Sequence, residues 1–187
     1  NTMLISTPQT TTKIMAELIP GKALAKNVRS SLPAEGQRES FTHDGITIES
    51  LNLHHGRQRA PPVENLGFLV TIGKLKVLHV GDTEANIQEF ALNNLVKEHI
   101  DIALLPYWML TSRSWANSID EVIGAKRIVA MHIPNEDAPA AYFDPAPDYE
   151  SMKALILKRV PNALVLEPGE SIRVVNPLPN EQRKPAN

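Results

Sequence analysis

Residues 64–83 read ENLGFLVTIGKLKVLHVGDT, and the fold is read outward from them. Gly67–Ile72 and Lys74–Val80 are apolar runs rich in β-branched residues, and Gly73 separates them. That pattern predicts a tight hairpin. The second run passes into Gly81-Asp82-Thr83, so the hairpin ends in a carboxylate just beyond a strand. His79 alternates with Leu78 and Val80 and therefore points to the opposite face of its strand, where a structural role is expected of it.

Upstream, Ile46–Leu53 alternates apolar and polar residues with period two, as a half-buried strand does, and His43-Asp44-Gly45 before it reads as a hairpin turn. Residues 54–65, HHGRQRAPPVEN, form a loop. Nearer the start, Thr7 and Pro8 suit the cap and first position of a helix over 8–18, closed by Pro20-Gly21, and residues 22–42 show only weak strand character. Downstream the rhythm changes. A helix is predicted over 84–99, a buried strand over 102–105, and a short helix capped by Ser114 or Asn117 that ends at Gly124. A buried strand over 127–131, a helix over 149–159, and short strands over 163–166 and 171–175 complete the order. Strands dominate the first half, and strand–helix alternation the second. The expected class is α/β, a mixed sheet with helices packed outside it. One domain over 1–175 and a mobile tail over 176–187 are expected.

Composition removes whole classes of function. The 187 residues carry 19 Lys and Arg against 21 Asp and Glu, net −2, without the basic run that neutralises phosphates, so no nucleic-acid partner is expected. No apolar run approaches the ~20 residues that span a bilayer, so no membrane partner is expected either. There is no cysteine, which excludes disulfides, thiolate-bound metals and a thiol nucleophile. Any metal must sit on histidines and carboxylates. Three such candidates each follow a predicted strand: His54 or His55 after Leu53, Asp82 after Val80, and His132 after Met131. Singly, each histidine reads as a surface or hydrogen-bonded group and Asp82 as a helix cap. Their shared strand-end placement points instead to zinc, manganese or iron, which accept imidazole and carboxylate ligands, and to metal-assisted hydrolysis.

These residues carry a resemblance. The run from Glu64 to Val70, the turn at Gly73, and Val77 to Thr83 resemble the GFxxxxxxxxxLxxGDT-like hairpin of the metallo-β-lactamase-fold hydrolases. Residues 101–106 and 125–132 resemble that family's next strand and the one ending in its last histidine ligand. The resemblance covers roughly residues 3–175. It implies the second half of an αββα sandwich, with Asp82 as the metal-bridging aspartate and His55 and His132 as ligands of two zinc ions. His55, followed by Gly56, fits the family's His-Gly pattern better than His54, and a slip of one residue stays open. The family's HxHxDH signature is missing, since no HxH occurs in the chain. The expectation is therefore a partial domain, held in a homo-oligomer or by a complementing half, acting on a small-molecule substrate. Alone it is expected to hold one ion loosely and to lack hydrolase activity. A bacterial cytoplasmic or periplasmic setting fits equally.

Tyr107 and Trp108, at another strand end, are candidates for the wall of a substrate pocket, with Trp115 a weaker one. Arg57 and Arg59 lie in the loop beside His55, and Glu136, Asp137, Asp144 and Asp148 follow His132; a solvated role is preferred for these, with Asp148 capping a helix. Gly81-Asp82-Thr83-Glu84 also resembles the last acidic motif of haloacid-dehalogenase-type phosphatases, yet no Asp-X-Asp nucleophile motif exists in the chain. A non-catalytic association module is the third reading, because an uncovered apolar sheet face promotes association.

Overall fold

In the computed structural model, residues 2–17, 26–55, 62–134 and 148–174 are described. Arg57, Arg59, Glu136, Asp137, Asp144 and the expected tail lie outside them. Seven strands form one sheet in chain order: β3 (Arg38–His43), β4 (Ile46–Asn52), β5 (Leu66–Ile72), β6 (Leu75–His79), β7 (Ile102–Pro106), β8 (Arg127–Met131) and β9 (Ala163–Leu164). The first three pairings are antiparallel and the last three parallel. The change follows from the connections. Asp44-Gly45 and Gly73-Lys74 are two-residue hairpin loops, whereas parallel neighbours require crossovers, which here contain helices. They are α2 (Ile87–Leu92), α3 (Tyr107–Thr111), α4 (Arg113–Val122) and α5 (Tyr149–Arg159).

Strand alternation divides the sheet into two unlike faces. Leu51, Leu69, Leu78, Ala103 and Leu105 are fully buried on one face, packed with Phe90 of α2, Met109 and Leu110 of α3, Ile119 of α4 and Ile156 of α5. This is the core. On the other face Ile48, Val70 and Val77 stand in register across β4, β5 and β6 and are only partly covered, while Ile72 is 49% exposed. A second layer begins there. The strands β1 (Leu4–Ser6) and β2 (Val28–Ser30) pair in parallel, with α1 (Pro8–Glu17) between them in sequence. After β2, the Ser31 hydroxyl meets that of Ser50 at 2.7 Å, and the Asn52 amide donates to the Pro33 carbonyl at 3.0 Å. Both contacts use the face of β4 opposite Leu51.

The sequence reading needs four corrections in detail. The helix expected over 84–99 is broken: α2 ends at Leu92, Asn94 takes a left-handed φ of +49°, and a single 3₁₀ turn, Leu95–Glu98, follows. Buried Asn93 donates from its side chain to the Glu89 carbonyl, competing with the helical ladder. The cap of α4 is Ser112, not Ser114 or Asn117, because α3 occupies the preceding turn. β3 is a full strand of six residues, its polar side chains tolerated at the sheet edge. Residues 171–174 form no strand beside β9; Pro168-Gly169 make a turn closed by Glu170 N–H to the Glu167 carbonyl. Asp148 caps α5 as expected, accepting from the Ser151 amide at 2.8 Å.

Candidate metal centre at the strand ends

Pairing directions make β4, β6, β7 and β8 run the same way, so their C-terminal ends share one edge of the sheet. His54 and His55 follow β4, Asp82 follows β6, Tyr107 and Trp108 follow β7, and His132 follows β8. Loops at such an edge gather functional groups over a rigid base.

The two adjacent histidines turn to different partners. His55 Nε2 lies 3.4 Å from Asp82 Oδ2. His54 instead places Nδ1 3.1 Å from Glu89 Oε1 and Nε2 3.5 Å from Glu35 Oε1, and its own amide donates to Glu89 Oε2 at 3.0 Å. Glu89 is 4% exposed, and this pairing is what allows a carboxylate to be buried on α2. Asp82 does not cap a helix, since Asn86 caps α2. Its amide donates to Asn65 Oδ1 at 2.9 Å, and Asn65 Nδ2 donates back to the Leu53 carbonyl at 2.7 Å. A second tie runs from the Glu84 amide to the His54 carbonyl at 2.8 Å.

Trp108 joins the Asp82 loop to His132. Its indole N–H donates to the Thr83 carbonyl at 3.0 Å, and its ring lies 5.4 Å from that of His132. Trp115, almost fully buried, donates to the Ala85 carbonyl. Both Ala85 and His132 have left-handed φ, +61° and +56°, a conformation that costs a non-glycine residue about 1–2 kcal/mol and is retained where the surroundings enforce it. His79, on the less covered face, is held below the ordinary histidine value, first by partial desolvation among its neighbours and then by the charge of His132. Tyr107 packs edge-to-face on Trp108, and burial pushes its phenol above the ordinary range. An open groove of about 520 Å³ beside this edge is lined by Glu84, Ile87, Gln88, Trp108, Ser112 and Trp115 among others.

The donor chemistry can be tested against a metal. Tetrahedral zinc with bonds of ~2.0–2.1 Å sets its ligand atoms about 3.3–3.4 Å apart. The spacing of His55 and Asp82 matches two vertices of such a site. Among the described residues no group of three His, Cys, Asp or Glu side chains could hold an ion, so His132 does not join the pair in this geometry. Asn65 and Glu89 escaped the sequence reading. An amide in a loop and a carboxylate on a helix carry no periodic signal, and only burial and partners reveal what they do.

No protein-family model matches the chain. Among solved structures, it resembles Igni18, described as a novel metallo hydrolase from the hyperthermophilic archaeon Ignicoccus hospitalis KIN4/I. That match has a TM-score of 0.57 and 17% identity, and covers 91% of this chain and 67% of the other. It also resembles the metallo-β-lactamase fold protein YhfI from Bacillus subtilis, with a TM-score of 0.54 and 11% identity over 86% of this chain and 60% of that one. A variant of the β-hydroxylase CmlA matches with a TM-score of 0.52 and 12% identity, over 75% of this chain and 32% of its own. The chain has the metallo-β-lactamase fold. At these identities the likeness establishes architecture and not the reaction.

Proposed function

We propose that this chain supplies part of the centre of a metal-dependent hydrolase, with His55 and Asp82 as ligands of one ion and His132 as a ligand brought in when the site is completed. The observation that carries the reading is the 3.4 Å approach of His55 Nε2 to Asp82 Oδ2 at the strand ends. Zinc suits these donors best, and manganese or iron accept them too. When bound, such an ion makes hydroxide available near neutral pH for attack on an ester, amide or phosphodiester-type bond. The chain's own residues do the rest. Asp82 would hold the ion through its carboxylate, which is oriented by the hydrogen bond from its own amide to Asn65 Oδ1. Trp108 and the groove beside it form a wall for a small-molecule substrate, and Tyr107 stays protonated behind it. The remaining ligands come from outside the described residues.

Metal analysis of protein purified without chelator tests this. After dialysis against zinc, manganese or iron, the wild type is expected to retain measurable metal, up to one ion per chain, with most of it lost in Asp82→Ala and in His55→Ala. Metal-free wild-type protein, or metal that survives both substitutions, overturns the reading. A second reading, a non-catalytic association module, is favoured by one observation: the partly covered apolar sheet face around Ile48, Val70 and Val77.

A further inference from the structure

We infer that Asn65 is the positioning residue that sets His55 and Asp82 at ligand spacing, an inference that rests on the proposed metal reading. The two side chains belong to loops that leave different strands, β4 and β6, with β5 between them. Something must hold these loops in register. Asn65, at the threshold of β5, is the group whose hydrogen bonds reach both. Its Oδ1 accepts from the Asp82 amide at 2.9 Å, and its Nδ2 donates to the Leu53 carbonyl, two residues before His55, at 2.7 Å, and to the Val80 carbonyl at 3.4 Å. One primary amide has both an acceptor and donors, which no carboxylate, ammonium or hydroxyl of that size provides in the same fixed plane. The backbone is shaped to admit it. Gly81 has φ +64°, and a Cβ there would stand 2.4 Å from Asn65 Oδ1. The stretch leading into Asn65 is tied as well, by the bridge between His55 and Val63.

The test titrates cobalt(II) into the full chain, following visible absorption and calorimetry, for the wild type, Asn65→Ala, Asn65→Asp, Asp82→Ala and Ile156→Ala. Ile156 is fully buried on α5 and outside the proposed centre, so its variant reports a general loss of stability. Loss of a group that orients a ligand typically weakens metal binding by about 10–100-fold. Asn65→Ala is expected to show that loss with an altered cobalt band. Asn65→Asp, which keeps the acceptor for the Asp82 amide, should lose less, and Ile156→Ala should bind as the wild type does. If Asn65→Ala binds cobalt with wild-type affinity and spectrum, or changes no more than Ile156→Ala, the inference is overturned. Hydrogen exchange of the Asp82 amide separates the two levels of the argument. Should wild-type protein bind no cobalt, the metal reading fails, and faster Asp82 exchange in Asn65→Ala alone still supports the positioning role. Unchanged exchange in Asn65→Ala overturns it.

Discussion

At the scale of single residues, two neighbours with the same side chain serve different ends. His54 is bound to Glu89 and Glu35, while His55 faces Asp82. The sequence favoured His55 only through the glycine after it, and no local pattern distinguishes the two, because what divides them is Glu89, a buried carboxylate 35 residues along the chain from His54. Gly81 shows the converse, a residue whose role is legible once its neighbours are known. A side chain there meets the Leu66 carbonyl at 2.5 Å as well as Asn65. Gly81→Ala should lose about 1–2 kcal/mol to its left-handed backbone and about 1–3 kcal/mol more to overpacking. Gly73→Ala, with φ +60° but open space around it, should lose the first contribution alone. Urea denaturation of both variants checks this, and equal losses would show that the contact at Gly81 relaxes.

At the scale of elements, the parallel pairs are locked at their starting ends by charge. Asp101, 8% exposed, accepts from the Lys76 amide at 2.8 Å and from Lys126 Nζ at 2.7 Å, joining the starts of β6, β7 and β8. Burial pushes its carboxyl up, but these hydrogen bonds outweigh burial and hold it below the ordinary 3.8. Glu98 behaves alike: burial raises it, and Lys76 and Arg38 bring it below 4.5. Carboxylates depressed in the folded state contribute their full stability above their ordinary values and lose it as pH falls through the folded ones. The urea midpoint should therefore fall in two stages as pH drops from neutral: gently below about pH 6.5, where the unfolded chain protonates His79 more readily than the folded one, and more steeply below about pH 5, where Asp101 and Glu98 lose their contribution. Asp101→Asn should cost about 1–3 kcal/mol at pH 7 and flatten the acid limb. An unchanged limb would place the acid sensitivity elsewhere. Strands were legible here because hydrophobic runs and turn residues are local signals. The break between α2 and the 3₁₀ turn was not, since the apolar spacing continues through it and the left-handed Asn94 is set by packing.

At the scale of the whole molecule, four helices pack on one face of the sheet, and among the described residues Ser31 and Pro33, after β2, meet β4 on the other. Ile48, Val70 and Val77 line the remaining area with Ile72 and Leu75 beside them. An apolar face of this kind favours association. Val70→Lys places a charge at its centre while leaving the helical core untouched. The wild type should elute as an oligomer in size exclusion with light scattering, and Val70→Lys as a smaller species of equal helix and strand content. Identical masses for the two would remove this face from the assembly.

The sequence by itself determined the hairpin over 64–83, the alternation of strand and helix after it, and the placement of His55, Asp82 and His132 beyond strands. These are local matters of periodicity, turn chemistry and strand length, each set within a few residues. Only the tertiary structure decided which of these residues meet. His55 and Asp82 come within 3.4 Å because antiparallel and parallel pairings bring the ends of β4 and β6 to one edge, and Asn65 spans the gap between them. His132, two strands further along the same edge, is linked to the Asp82 loop through Trp108. Contacts of this range depend on register and direction across several strands, which no local stretch of sequence encodes.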